Sequence, residues 1–407
     1  MSALKGLRVL DLTRVLAGPW STQLLSDLGA DVIKIERPGA GDDTRRWGPP
    51  YLKDSAGQAT EEAAYYLAAN RGKRSVALDF SRPEGQAILR TLAAQSDILV
   101  ENYKAGQLAK YGLDYAALAA INPRLIYCSI TGFGQTGPYS HRAGYDYIVQ
   151  GMSGMMSITG ERDGLPGAGP QKAGVAVSDL FTGLYSTVAI LAAVEQRHTS
   201  GRGQAIDMAL FDTMVAALAN MTTNTLIGGI TPVRAGNAHA NVVPYQVFDA
   251  ADRQIIVAVG NTAQFARLCE LGERPDLATD PRYASNSGRV RLRDELVPQL
   301  TAMIRQRPAA FWLDELEAAG VPAGPINTVT QALADPQIAA RGLRIDLPHP
   351  LAGSVPLVGM PIRMSDSPPA YDRAPPLLGQ HTDEILRERA GLSAEQIAAL
   401  RAAGVIA

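Results

Sequence analysis

Cysteine is almost missing: the 407 residues hold two, Cys128 and Cys269, both in apolar surroundings. That excludes a disulfide framework and points to buried thiols in a reducing compartment. Histidine is scarce as well, and the five present are scattered without zinc-ligand spacing, so no metal is expected. Neither charge sign dominates, the net being −2, which argues against nucleic acid or an anionic membrane as partner. The opening MSALKGLRVLDL has no apolar h-region of a secretion signal. No run of about 18 apolar residues stands ready to span a bilayer. A cytoplasmic location is therefore expected. Repeats and low-complexity tracts are absent. The first strand-to-helix turn, TRVLAGP, carries only Gly18, so the GxGxxG dinucleotide fingerprint is missing too.

What is present is ample core. With 46% hydrophobic and 19% charged residues, the chain reads as globular, with one large or two to three ordinary domains. The first half alternates strands and helices. Leu7–Leu12 is a short apolar strand. A helix follows over Pro19–Leu28, with Pro19 suited to its first turn and Gly29 to its C-terminal cap. Val32–Ile35, Ser75–Phe80, Asp97–Glu101 and Leu125–Ile130 are further strands, and Ser81 with Glu84 is a capping-box signature for a helix ending near Gln95. Such βαβ units predict a parallel sheet.

Residues 170–204 hold the most informative stretch. An apolar strand, Val175–Val177, is expected to run into Ser178-Asp179 and a helix over Leu180–Arg197 that ends at Ser200-Gly201. Leu184, Val188, Leu191 and Val194 recur at helical spacing and predict one buried face. Asp179 then sits at a helix start, where free N–H groups and the dipole favour an ionised carboxylate. Two readings stand side by side: Ser178 or Asp179 as an N-cap, or Asp179 as a nucleophile for acyl transfer.

The texture changes at 228–248, GGITPVRAGNAHANVVPYQVF, and again at 320–328, GVPAGPINT; both are Gly/Pro junctions. The expected division is 1–228, a smaller α+β domain over 229–328, and 329–407. Short strands are expected at Gln246–Phe248 and Gln254–Val259, then helices near 262–271, 288–306 and 308–319. Strands at Leu343–Leu347 and Ser354–Val358, an irregular Pro-rich tail and a final amphipathic helix in SAEQIAALRAAGVI close the chain.

Seven ordered motifs resemble family III CoA-transferases, the formyl-CoA transferase and carnitine CoA-transferase type. They are DLTRVLAGPWSTQLLSDLGADVIKIERPGAGDDTR, NRGKRSVALD, VENYKAG, SITGFGQTGP, AGYDYIVQGMSGMMSITG, TSGRGQAIDMAL and LGQHTDEIL. RPGAGDDTRRWGPPY, GNAHANVVPYQVF, GVPAGPIN and DPQ are similar to the succinate–hydroxymethylglutarate (glutarate) branch. The resemblance implies an α/β fold with a large Rossmann-like domain and a small domain, in a homodimer of subunits interlocked like chain links. It also implies acyl-CoA and a carboxylic acid as substrates, with no permanently bound cofactor.

The family's nucleophilic aspartate falls on Asp179. Its CoA contacts fall on Val15, Leu16, Ala17, Arg37, Lys73, Asn102, Tyr103, Lys110 and Tyr145. Some members carry Gln where Leu16 stands; this chain lacks that contact. A dicarboxylate leaves one carboxylate unreacted, and bidentate pairing wants an arginine. Arg14, Arg45 and Arg46 are the candidates, with His239 in a candidate lid over 234–243. The rival of the same fold, an α-methylacyl-CoA racemase, needs a histidine base where Tyr145 stands, and tyrosine with a pKa of about 10 is poorly matched to that task. A non-catalytic CoA-binding protein would keep the phosphate contacts and could dispense with Asp179. The missing GxGxxG disfavours a nucleotide-dependent dehydrogenase.

Overall fold

The computed structural model describes residues 2–407. The chain divides into two compact units. The first takes in the chain up to Met155, Ala173–Gly229 and Ala339–Ala407; the second is Met156–Lys172 and Ile230–Ile338.

The first unit is built on a six-stranded parallel sheet of β1 (Arg8–Asp11), β2 (Asp31–Glu36), β3 (Arg74–Ala77), β4 (Ile98–Glu101), β5 (Ile126–Thr131) and β6 (Ala205–Ala209). The spatial order is β3-β2-β1-β4-β5-β6. The first five strands in the chain are short runs buried on both sides, as a parallel sheet covered by helices requires, while the edge strand β6 is mostly open. Helix α1 (Ala17–Asp27) follows β1, α2 (Pro83–Ala94) follows β3, α3 (Asp146–Met152) follows β5, and α4 (Val177–Ser200) precedes β6. Leu10, Ile35, Val76 and Leu89 fill one side of the sheet; Val9, Val100, Ile126 and Ile190 fill the other. Strand order reverses between β1 and β4, so the loops leaving their C-terminal ends diverge and leave a crevice, where open α/β sheets bind ligands.

The Pro-rich tail lies on this same unit. Ala370 N–H donates to Asp27 O at 2.9 Å, Gly72 N–H to Arg373 O at 2.9 Å, and His381 N–H to Ser75 O at 2.9 Å. The final helix, Ala394–Ala402, carries a capping box from Ser393 and Gln396.

The second unit has a three-stranded antiparallel sheet, Ala323–Pro325, Gln254–Ala258 and Tyr245–Asp249 in that order. Helices Thr262–Leu271, Arg293–Ile304 and Ala309–Ala318 cover it around Phe265, Leu300 and Trp312.

Three local expectations are corrected. Ser81 does not cap α2: Pro83 opens the helix behind Arg82, and Ser81 Oγ donates to Asp79 Oδ1 at 2.6 Å. Val175–Val177 is no strand, and α4 already begins at Val177; three apolar residues cannot tell the two apart. On α4, Leu191 and Val194 of the expected stripe pack in the core, but Leu184 and Val188 are exposed, while Thr182, Gly183, Ser186, Thr187 and Ile190 are buried. Small residues face α1 there. Ser21 Oγ lies 3.0 Å from Thr187 Oγ1, and a Cβ at Gly183 would meet Ala17 O at 2.7 Å. Helical spacing finds an apolar stripe; it does not say which face a neighbouring helix takes. By length and mean hydropathy (1.6) α4 is able to cross a bilayer, yet half of that apolar stretch is buried in the fold.

Candidate active site

A cleft of 390 Å³ opens at the C-terminal edge of β1, β4 and β5. Its walls come mainly from the three loops that leave these strands. Arg14, Val15, Leu16 and Ala17 follow β1; Asn102, Tyr103, Lys104 and Gln107 follow β4; Thr131, Gly132 and the 140–145 loop follow β5. Asp43, Trp47, Asp179 of α4 and Leu210 complete it. The β5 loop folds back on itself so tightly that a Cβ on Gly132 would sit 2.4 Å from Gly144 Cα; only glycine allows that approach.

Asp179 lies in the first turn of α4 and is buried, at 9% exposure. Neither it nor Ser178 caps the helix: Ala176 is the N-cap and no side chain bonds there. Ser178 instead turns to α3, its N–H donating to Asp146 Oδ1 at 2.8 Å and its hydroxyl to the same oxygen. Asp146 thus fixes the residue before Asp179 and sets a second carboxylate nearby. No hydrogen bond holds the Asp179 carboxylate among the described residues. Burial, then the Asp146 charge, push its pKa up to about 7. The helix dipole was expected to favour the ion; desolvation outweighs it here. Such a carboxylate is a stronger nucleophile than an ordinary aspartate and is half charged near neutrality.

Beside it, α1 also begins without a side-chain cap, behind Leu16. Its first residue, Ala17, lines the same cleft, and an uncapped helix start suits a developing negative charge.

The cleft brings together eight of the residues singled out from sequence: Arg14, Val15, Leu16, Ala17, Asn102, Tyr103, Tyr145 and Asp179. Tyr145 is 62% exposed and caps no core. Six others lie elsewhere. Lys73 is fully buried and its ammonium donates to Asp11 Oδ2, Pro19 O and Asn70 Oδ1 at 3.0, 3.0 and 2.9 Å. Arg45 is buried between Glu36 (2.8 Å) and Glu62 (3.1 Å), with its face 3.7 Å from the Tyr66 ring. Arg46 is exposed and donates to Gly39 O. Lys110 lies over Tyr111 at 4.6 Å, and Arg37 is exposed; neither lines the cleft. His239 belongs to the second unit, its ring 5.2 Å from that of Tyr245.

Sequence reading passed over Arg142, Lys104, Asp146 and Tyr65. Arg142 stacks on Tyr139 at 4.1 Å. Neither it nor Lys104 has an acidic partner among the described residues, whereas Arg14 pairs with Asp43 at 2.9 Å. Tyr65 stands edge-on to Trp47 at 5.2 Å, and its hydroxyl pKa is raised by burial and then by Asp179 and Asp146. Asp146 was the one with a visible signal, an acid next to Tyr145 in AGYDY.

The CoA-transferase family III model matches residues 4–382. The chain is 52% identical over 385 residues to a succinate–glutarate CoA-transferase of Agrobacterium fabrum, covering 95% of each protein. It is 45% identical over 406 residues to the mouse succinyl-CoA:glutarate CoA-transferase, covering 100% of this chain and 91% of that one. A solved CaiB/BaiF family protein from Brucella suis superposes with a TM-score of 0.83 at 51% identity, covering 95% of this chain and 99% of that one.

Proposed function

This chain belongs to CoA-transferase family III, and from that premise we propose that it moves CoA from succinyl-CoA to glutarate through covalent intermediates on Asp179. The observation that carries the mechanism is the buried Asp179 carboxylate in the wall of the cleft, unbonded among the described residues. In the proposed sequence the carboxylate attacks the thioester carbonyl of succinyl-CoA, forming a mixed anhydride and releasing CoA thiolate. The thiolate then attacks the aspartyl carbonyl, freeing succinate and leaving a β-aspartyl-CoA thioester. Glutarate attacks that thioester, and the expelled thiolate attacks the glutaryl carbonyl of the second anhydride. Glutaryl-CoA leaves and Asp179 is restored. Each step trades one acyl bond for another, so the thioester energy is conserved. The uncapped N–H groups of α1 suit the oxyanions that form.

The acceptor's second carboxylate is assigned to Arg142, a cation in the cleft with no acidic partner among the described residues, on the loop that runs into Asp146. Its planar guanidinium suits a carboxylate; Lys104, a point charge, suits CoA phosphate. The test is a CoA-ester exchange assay read by mass spectrometry. Donors are succinyl-CoA and acetyl-CoA; acceptors are glutarate, itaconate, hydroxymethylglutarate, malate, citramalate and pentanoate. Wild type is expected to give glutaryl-CoA from succinyl-CoA, and no new ester with any diacid would sink the proposal. Arg142→Gln is expected to cut the preference for glutarate over pentanoate by roughly 10- to 100-fold, the worth of a charge-assisted hydrogen bond. Equal loss on both acids would remove Arg142 from that role.

The interlocked dimer of the resemblance is part of the same proposal. Its support is the apolar surface that a lone chain leaves bare, with Val188 of α4 63% exposed and Leu226 and Ile227 85% and 84% exposed. Such patches mark association surfaces. Light scattering is expected to give twice the chain mass of 43.2 kDa; the single mass would refute it.

A further inference from the structure

Val15 has φ of 72°. This is the left-handed region, which a β-branched residue enters only when its surroundings compel it. The compulsion is visible. Val15 N–H donates to Asp42 Oδ1 at 3.1 Å. The other Asp42 oxygen receives Lys34 Nζ at 2.9 Å, and Lys34 also donates to Thr13 O at 2.8 Å. Asp42 and Lys34 are 1% and 0% exposed. One buried ion pair therefore grips both ends of the turn, at Thr13 and at Val15. On the opposite side Asn102 clamps the residue between them: Arg14 N–H donates to Asn102 Oδ1 at 2.9 Å, and Asn102 Nδ2 donates to Arg14 O at 2.7 Å.

We propose that Asp42, charged and paired with Lys34, is a positioning residue for acyl transfer: it holds Val15 left-handed so that Val15, Leu16 and Ala17 stand as a rigid wall against Asp179. A fold that needed only a loop here would place glycine at residue 15 and be free of the strain. Strain at a cleft wall, kept by an over-determined buried network, is the pattern of a pre-organised site. Asp42 touches no part of the cleft itself; it acts through the Val15 N–H. The same geometry reassigns Asn102. Its amide oxygen and nitrogen are both engaged by Arg14 backbone, so it braces the turn from the solvent side. The inference rests on the reading of Asp179 as nucleophile.

Two variants test it. Val15→Gly keeps every side-chain partner and removes the strain; Asp42→Asn keeps an acceptor for Val15 N–H and removes the charge that holds Lys34. Succinyl-CoA:glutarate exchange kinetics, melting temperature and hydrogen exchange of the peptide covering residues 12–18 are measured on each. The expected result for Val15→Gly is faster exchange confined to 12–18, a melting temperature equal to or above wild type, and kcat lower by tenfold or more with KM for succinyl-CoA within twofold. Asp42→Asn is expected to show the same exchange and kinetics at a lower melting temperature. Unchanged exchange at 12–18 in both variants overturns the brace. Faster exchange with wild-type kcat overturns its role in the reaction. A wild type without transferase activity defeats the nucleophile reading instead, and the exchange data then still decide whether Asp42 holds the turn.

Discussion

Asp179→Asn is expected to abolish formation of glutaryl-CoA, by roughly 10⁴-fold or more, as removal of a covalent nucleophile does. CoA-ester affinity should stay measurable, because asparagine has the same shape and the cleft is otherwise intact. The same substitution should raise the melting temperature at pH 8. The Asp179 pKa lies near 7 because burial and Asp146 oppose its charge. A carboxyl raised in the folded state contributes fully below its unfolded pKa and loses that contribution as pH rises through the folded value. At pH 8 the wild type therefore carries a buried, uncompensated charge, at a cost on the order of 1–4 kcal/mol. Asparagine removes it. Activity should run the opposite way in pH: kcat/KM should fall about tenfold per unit below pH 7, since only the ionised carboxylate attacks. A variant that still makes the new ester, or a wild type whose kcat/KM is level down to pH 5, would remove Asp179 from the role of nucleophile.

The sheet was legible from short apolar runs at βαβ spacing, and a Ser-Asp pair at the head of an apolar helix marked Asp179 as either a cap or a nucleophile, the second role resting on the family resemblance. Both are local patterns. What escaped was the pairing of charges. Arg45 and Lys73 carry the same side-chain types as Arg142 and Lys104, but the first two meet acids far along the chain. Lys73 finds Asp11 and Arg45 finds Glu36 and Glu62. No spacing rule announces such a partner, so a cation beside a motif was read as a ligand contact when the fold had already consumed it. The α4 stripe failed in part for a related reason. Its small and hydroxylic residues make the closer helix contact, so Leu184 and Val188 remain outside while Leu191 and Val194 of the same stripe reach the core. The apparent pKa of Asp179 was misjudged because the dipole is a property of the helix and can be read from sequence, whereas desolvation depends on everything packed around it.

Lys73→Met should cost about 3–5 kcal/mol of stability, the usual penalty for breaking a buried pair from one side, and leave the succinyl-CoA KM within about twofold of wild type, since loss of a structural contact acts on the fold and not on ground-state binding. Asp11 is fully buried. Burial works against its charge, and Lys73, Lys34 and the hydroxyls of Thr13 and Thr22 together overcome that and hold its pKa at about 2. Without Lys73 the carboxylate keeps Thr22 (2.6 Å) and Thr13 (2.5 Å) but loses its nearest cation. For a carboxyl depressed in the folded state, stability is present above the unfolded pKa and lost as pH falls through the folded one. Without Lys73 the burial of Asp11 is less opposed and its folded-state pKa rises, so protonation relieves the stranded charge and the variant's deficit against wild type should shrink as pH falls through the acidic range. Removing both partners, Asp11→Asn with Lys73→Met, should recover much of the loss, because neither charge is then stranded. Thermal unfolding of the four proteins gives the cycle, and the expected drop for the single variant is on the order of 10 °C. A Lys73→Met protein with wild-type melting and a succinyl-CoA KM raised tenfold would instead return Lys73 to the CoA site, and would mean that the ammonium leaves Asp11 when ligand binds.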